Sequence, residues 1–125
     1  MPIIGIGTDL VRIERIERAL ERHGERFAQR ILHPQEYAQW QESAQPAALL
    51  AKRFAAKEAL AKALGVGVGA QLSLQDICVT HNELGRPEFA LSGAGAATAA
   101  RLGVTRLHLS LSDEVDHALA FVVAE

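Results

Sequence analysis

The chain has 125 residues, about the length of one ordinary domain, and 49% of them are hydrophobic while 22% are charged. A formal net charge of −2 argues against a general nucleic-acid-binding protein, which usually carries a strong basic excess. The single cysteine excludes an intramolecular disulfide, and no apolar run approaches the roughly 20 residues of a membrane span. We therefore expect one cytoplasmic domain over residues 1–125, with neither nucleic acid nor a membrane among its partners.

The N-terminal half is predicted to be one strand followed by helices. Residues 2–8 are β-branched and bounded by glycine, which is typical of a strand, and Asp9 suits the cap of a following helix. That helix carries several arginines and has apolar residues at helical spacing: Leu10, Ile13, Ile16 and Leu20. Further helices are predicted for about 25–32, for 34–40 and, as the longest, for 46–64 before Gly65.

The C-terminal half is predicted to be richer in strands. Residues 65–69 alternate glycine and valine and should form a flexible or tightly turned loop. Strands are predicted for 76–81 and 87–91, and Ser92 is expected to cap an alanine-rich helix that ends at Gly103. Residues 106–112 alternate strictly, and 118–124 form an apolar strand expected to be buried on both faces. This pattern indicates one α+β domain with a mainly antiparallel β-sheet packed against a long helix.

Two acidic residues from distant segments, Asp9 and Glu58, are the candidates for a metal site. Magnesium suits a site with few carboxylates, because water and substrate phosphates supply its other ligands. Lys62 lies one helical turn after Glu58 and could neutralise those phosphates. On local grounds alone, a plain helix cap at Asp9 and a surface ion pair between Glu58 and Lys62 are the favoured alternatives. No spacing rule links Asp9 to Glu58.

Two further positions carry chemistry that the pattern leaves open. Lys57 falls in the middle of an apolar stripe of the long helix, with Arg53 beside it. A lysine in that place must reach solvent, pair with an acid or meet a ligand, because burying a bare charge is costly. On the alternating strand, His108 is a candidate base and Ser110 a candidate nucleophile, although a polar strand face is usually the solvated side of a sheet.

Five segments together point to one family. The two most specific are Gly5-Ile6-Gly7-Thr8-Asp9 and the stretch from Arg53 to Lys62. The weaker ones are Gly65 to Gly67, Gly85-Arg86-Pro87, and His108 to Ser112. In this order they resemble the bacterial holo-acyl-carrier-protein synthases, the AcpS-type 4′-phosphopantetheinyl transferases, over nearly the whole chain. Val66 departs from the pattern, since many relatives have a hydroxyl residue there, and one phosphate contact is thereby in doubt.

The resemblance implies a 4′-phosphopantetheinyl transferase fold and an activity in lipid metabolism, namely fatty acid biosynthesis. The phosphopantetheine group of coenzyme A would pass to a serine of apo acyl carrier protein, leaving adenosine 3′,5′-bisphosphate. Such proteins form homotrimers with the active sites between neighbouring subunits, which would explain how a short chain offers a deep cleft for coenzyme A.

The resemblance also implies roles for individual residues. Asp9 and Glu58 would hold Mg²⁺, and Lys62 would neutralise phosphate charge during transfer, so that these three form the catalytic set. Arginines of the first helices would contact the acidic recognition helix of the carrier protein: Arg15, Arg22 and Arg26. Coenzyme A would be bound by Arg53, Lys62, Gly65, Gly67, Arg86, Pro87 and His108.

Several points stay open at this level. A water held by Glu58 or by the metal is favoured as the general base for the serine hydroxyl, and Lys57 is the alternative. A non-catalytic module that binds carrier protein or coenzyme A is a second possible function, and a trimeric structural protein is a third. The type of carrier protein and the choice between magnesium and manganese are not predicted.

Overall fold

The order of helices and strands follows the predicted order closely. The computed structural model describes residues 2–125, and none of the helices in that range is long and apolar enough to cross a bilayer. The N-terminal half contains β1 (Gly5–Arg12), α1 (Ile13–His23), α2 (Glu25–Ile31), α3 (Pro34–Gln41) and α4 (Pro46–Leu64). The C-terminal half contains a 3₁₀ turn (Leu74–Asp76), β2 (Ile77–His81), β3 (Pro87–Leu91), α5 (Gly93–Arg101), β4 (Leu107–Asp113) and β5 (His117–Ala124).

The strands form two antiparallel sheets. Strand β5 lies between β1 and β4 in a three-stranded sheet, and β2 and β3 form a hairpin. In the larger sheet, Asp9 pairs with Ala120, which in turn pairs with Leu111 of β4. The predicted α+β class, with antiparallel strands packed against a long helix, is confirmed.

Helix α4 lies very close to the sheet because both surfaces carry small residues. A Cβ atom added to Gly5 would lie 1.9 Å from the carbonyl oxygen of Ala63, and one added to Gly7 would lie 2.0 Å from that of Ala59. Only glycine leaves room for backbone to approach backbone in this way. This contact fixes the position of β1 along the C-terminal half of α4.

Strand β1 is longer than predicted, and the interpretation of Asp9 as a helix cap is wrong. Pairing with β5 continues as far as Arg12 and His117, and α1 begins only at Ile13. Asp9 therefore lies within the strand, and Leu10, predicted as a helical residue, is 61% exposed on it. The backbone hydrogen bonds to β5 outweigh the local preference of aspartate for a cap.

Strand β5 is not buried on both faces, contrary to the prediction. Ala118, Ala120 and Val122 point towards α4 and are fully buried, whereas Leu119 and Phe121 remain about two-fifths exposed. Within the described residues no second layer covers that other side of the sheet. We call it the open face; its exposed apolar residues are Ile6, Leu10, Leu119 and Phe121, and its polar residues include Thr8, His108, Ser110 and Ser112.

Ser92 occupies the predicted cap position of α5 but does not cap it with its side chain. Its hydroxyl donates instead to the carbonyl oxygen of Asp76. The Asp76 carboxylate accepts a hydrogen bond from the backbone of Gly95 at 3.3 Å and so fulfils the capping role from another segment.

Candidate active site

Asp9, Glu58 and Lys62 meet where β1 crosses the C-terminal half of α4. The Lys62 Nζ atom donates to the carbonyl oxygen of Thr8 at 2.9 Å and to Asp9 Oδ1 at 3.2 Å. The Asp9 side chain is 18% exposed and that of Lys62 is 56% exposed, so the group is accessible from solvent. We call these three residues the acidic half-site. The structure thus brings Asp9 to the Glu58–Lys62 pair of α4, a contact that no periodicity in the sequence could predict.

The electrostatics of the acidic half-site favour a bound cation. Burial and the nearby Asp9 carboxylate raise the pKa of Glu58, while the Lys62 ammonium opposes that shift. A divalent cation bound beside Glu58 and Asp9 would favour the charged form of Glu58 that burial and Asp9 disfavour.

The donors available here fit magnesium. Within residues 2–125 there is no cluster of three or more His, Cys, Asp or Glu residues that could hold a metal. The acidic half-site offers two hard carboxylate ligands, and a magnesium ion held there would take its remaining ligands from water or phosphate oxygens, as is typical of Mg²⁺.

The loop after α4 lies beside the acidic half-site. Gly65 ends the helix in the left-handed conformation, with φ of 70°, and its N–H returns to carbonyl oxygens of the last turn, including that of Lys62. A Cβ atom on Gly65 or Gly67 would meet nothing within 4 Å, so the surface above this loop is open. The backbone here is accessible to a phosphate group approaching Lys62.

A second group of predicted residues lines a cleft of about 550 Å³ between the β2–β3 hairpin and β4. Arg86, Pro87 and His108 were predicted, and Arg106 joins them. We call this the basic cleft. His108 Nε2 lies 2.9 Å from Glu125 Oε1, and Arg106 lies 3.9 Å from the same oxygen. The sequence analysis did not identify Arg106 as a site residue, although it is the first residue of the alternating segment 106–112.

The sheet separates His108 from the acidic half-site within one subunit. Leu107 and Leu109 point towards the core, so His108 between them belongs to the open face. Asp9 lies two residues after Gly7 on β1, so its side chain is on the same face of the sheet as Gly7, the face that packs against α4. The predicted residues therefore form two half-sites on opposite sides of the sheet and not one continuous pocket.

Arg53 lies on the α4 side of the sheet, next to α3 and the end of β2. Arg53 precedes Glu58 by five positions, which places the two side chains about 140° apart around the helix. Burial and the charges of Arg53 and Lys52 lower the pKa of His81, which pairs with Pro87 across the hairpin. The Arg53 side chain is only 8% exposed, and its Nε lies 3.8 Å from Glu36 Oε2.

Lys57 is fully buried and pairs with an acid, one of the three outcomes left open by the sequence. Its ammonium donates to the carboxylate of Glu36, to the Ile31 carbonyl at 2.7 Å and to the Leu74 carbonyl at 3.1 Å. All three of its protons are thereby engaged inside the protein. Burial lowers the pKa of Lys57, and Glu36 opposes that effect. Lys57 is not positioned to accept a proton from a substrate at the surface.

Glu36 is the buried acid that the sequence analysis did not identify. It stands at the third position of α3, where its side chain forms a capping box with His33. The sequence signal for that box is only a Glu three residues after the cap, and nothing local reveals that the same carboxylate meets α4.

The arginines predicted to bind the carrier protein are exposed on α1 and α2. Arg15 and Arg22 are separated by two helical turns and share one side of α1, and Arg26 follows on α2. Arg18 is paired with Glu14, whereas none of the other three has a salt-bridge partner within the described residues. They present a basic surface that is free to meet an acidic one.

Comparisons with known proteins identify the family and the fold. The model of the 4′-phosphopantetheinyl transferase superfamily matches residues 5–122. The holo-[acyl-carrier-protein] synthase of Halorhodospira halophila is 54% identical, with 97% of this chain and 96% of that protein covered. The crystal structure of the Neisseria meningitidis holo-[acyl-carrier-protein] synthase has a TM-score of 0.95 at 47% identity, with 99% of each chain covered. The Helicobacter pylori enzyme in complex with coenzyme A has a TM-score of 0.84 at 33% identity, with 96% of this chain and 99% of that chain covered.

Proposed function

The chain belongs to the 4′-phosphopantetheinyl transferase superfamily, and we propose that it is the member that converts apo acyl carrier protein to its holo form. It transfers the 4′-phosphopantetheine group of coenzyme A to a serine of the carrier and releases adenosine 3′,5′-bisphosphate. The observation that carries this proposal is the meeting of Asp9, Glu58 and Lys62 at one exposed point of β1 and α4. Fatty acid biosynthesis and a cytoplasmic location, both expected from the sequence, belong to the same proposal.

The reaction is a displacement at the β-phosphate of coenzyme A. The serine oxygen forms a new bond to that phosphorus, the bond from phosphorus to the bridging oxygen breaks, and the bridging oxygen leaves with the nucleotide. The serine proton passes to a base, for which a water hydrogen-bonded to Glu58 is our assignment because Lys57 is enclosed. Phosphoryl-type transfers depend mainly on positioning and charge neutralisation.

Each residue of the acidic half-site has a distinct role in this proposal. Asp9 and Glu58 would hold Mg²⁺, which would offset negative charge on the pyrophosphate. Lys62 binds phosphate oxygens beside them and stabilises the charge that shifts to the leaving group. The open backbone of Gly65 and Gly67 gives the phosphates access to this lysine.

Coenzyme A extends from the acidic half-site of one subunit to the basic cleft of another in the proposed homotrimer. Two findings support this arrangement: the sheet divides the predicted residues within one subunit, and the open face carries large exposed apolar side chains. In the proposal, Arg53, Arg86, Pro87 and His108 bind the nucleotide end of coenzyme A. Exposed apolar patches of this kind are typical of protein interfaces.

The activity is tested by intact-mass analysis of apo acyl carrier protein after incubation with the chain, coenzyme A and magnesium. A mass gain of one phosphopantetheine that disappears with a chelator is expected. No gain with an apo carrier already proven as a substrate of a relative would contradict the proposal. Retained coenzyme A binding in that case would indicate a binding module, and loss of both would indicate a structural protein.

The trimer is tested by light scattering on a variant of the open face. Phe121→Asp should give a lighter species than the parent protein, because a charge at an apolar interface is costly to bury. Val115→Asp is the matched control, since Val115 is exposed on the turn between β4 and β5 and outside the open face. Equal masses for all three proteins would refute the assignment of this interface.

A further inference from the structure

Arg53 is buried but poorly bonded, and this combination indicates that its guanidinium is reserved for a ligand. Its only charged partner within the described residues is Glu36, at 3.8 Å through Nε, which is longer than a hydrogen bond. No enclosed polar side-chain atom in those residues lacks a partner, so the unbonded guanidinium nitrogens must reach solvent. The stem of Arg53 is fixed by burial while its donors remain available.

Glu36 is held far more rigidly than Arg53. One carboxylate oxygen accepts hydrogen bonds from the backbone of His33 at 2.9 Å and from the Lys57 ammonium. The other oxygen accepts a hydrogen bond from the backbone of Val79 at 2.8 Å and faces Arg53. Three donors from α4, from β2 and from the start of α3 therefore fix one carboxylate beside the guanidinium.

We propose that Glu36 is a positioning residue for coenzyme A binding, acting through Arg53. The carboxylate attracts the Nε edge of the guanidinium and leaves the two terminal nitrogens free for an anionic group of the substrate. This inference rests on the proposed function, which assigns Arg53 to the nucleotide end of coenzyme A.

The physical reason is the charge balance of the buried cluster. Arg53 and Lys57 are two cations one turn apart on α4, and Glu36 is the acid between them. Without that acid, the two cations repel each other and neither has compensation for its lost hydration. The Arg53 side chain can then rotate towards solvent, whereas the buried Lys57 cannot. Binding of coenzyme A would have to order the guanidinium again, which costs conformational entropy.

The test separates this role from mere stabilisation of the fold. Glu36→Gln alone leaves the buried Lys57 ammonium without a charged partner and is expected to unfold part of the population. In the double variant with Glu36→Gln and Lys57→Met, the acid and the buried cation it neutralises are removed together, so thermal stability should recover. Arg53 remains without its partner in that protein.

Coenzyme A affinity of the full chain is then measured by calorimetry, with the KM for the carrier protein as a second readout. The double variant should bind coenzyme A about three- to tenfold more weakly, the cost of ordering one long side chain, with an unchanged KM for the carrier. Adding Arg53→Ala to the double variant should weaken binding by less than Arg53→Ala does in the parent protein, so that the triple variant binds about as well as Arg53→Ala alone. Parent-like coenzyme A affinity in a stable double variant would overturn the proposal.

A second variant leaves the buried pair intact and therefore folds. Arg53→Lys keeps the positive charge but lacks the Nε group that faces Glu36, and it should show the same three- to tenfold loss in coenzyme A affinity. If Arg53→Lys binds as well as the parent, the geometry set by Glu36 is not used and the proposal fails. If even Arg53→Ala leaves coenzyme A binding unchanged, the error lies in the proposed role of Arg53 and not in Glu36 alone.

Discussion

Replacing Gly7 with alanine tests whether the acidic half-site depends on the close contact between β1 and α4. The added Cβ would lie 2.0 Å from the Ala59 carbonyl oxygen and 2.7 Å from the Ala63 backbone nitrogen. Because an ordinary contact is about 3.4 Å, the strand and the helix must separate by about 1.4 Å. Both obstacles are backbone atoms, so no side-chain rotation can relieve the overlap.

The expected cost is at the upper end of the range for overpacked interiors, about 3 kcal/mol in the free energy of unfolding. For a chain of this length that corresponds to a Tm lower by roughly 10 °C. The folded fraction of Gly7→Ala should also turn over about a hundredfold more slowly. Asp9 lies two residues further along the same strand, and a displacement of a catalytic group by about 1 Å can cost that much in rate. Urea unfolding and the carrier mass assay measure the two effects.

Gly67→Ala is the matched control for the stability measurement. A Cβ at Gly67 meets nothing within 4 Å, so this variant should keep the parent's stability or gain up to about 1 kcal/mol from a stiffer unfolded chain. If Gly7→Ala unfolds at the same urea concentration as Gly67→Ala, the close packing of β1 on α4 does not constrain the site, and our account of its construction is wrong.

Three further variants test other parts of the molecule. Glu58→Gln should reduce the rate of carrier modification by about a hundredfold or more while the circular dichroism spectrum stays unchanged, because a metal ligand is lost without a change of shape. An active variant would show that Glu58 is not a metal ligand. Arg15→Glu should raise the KM for carrier protein and make that KM less dependent on salt concentration. Arg101→Glu on α5 should leave the KM unchanged. Equal effects of the two variants would show that Arg15 is not part of the docking surface. Burial and nearby cations lower the pKa of His81, so protonation of His81 opposes folding. The Tm should therefore fall as the pH drops below about 6.5, and His81→Gln should reduce that fall. An unchanged dependence of Tm on pH in His81→Gln would contradict the lowered pKa.

The helices and strands could be predicted well because each has a local cause. The long helix was predicted for residues 46–64 and found over the same residues, since proline opens it and a left-handed glycine closes it. The end of the first strand was missed because its cause is distant: Asp9 to Arg12 remain extended by pairing with β5 at the far end of the chain. Local preference can place a cap only where no such pairing competes with it.

The candidate site was predictable in its residue types but not in its contacts. The resemblance to a family supplied Asp9, Glu58 and Lys62 as a set, and the fold brings them together through two glycines that allow β1 to approach α4. The partner of Lys57 could be predicted only as an unspecified acid. Glu36 is 21 residues away, and its local signal indicates a helix cap, so a single sequence could not connect the two.

The exposure of one face of β5 and the division of the site have the same physical origin. The apolar run of β5 predicted a strand buried on both faces, yet Leu119 and Phe121 remain exposed in the single chain. The residues predicted to bind coenzyme A, for which the family resemblance implied a site between subunits, are divided by the sheet. A hydrophobic pattern in a sequence predicts that a surface is buried in the assembled protein, but it does not indicate whether the same chain or a neighbouring subunit buries it. A neighbouring subunit on the open face would satisfy both observations at once, because the surface that needs covering is also the one that carries His108.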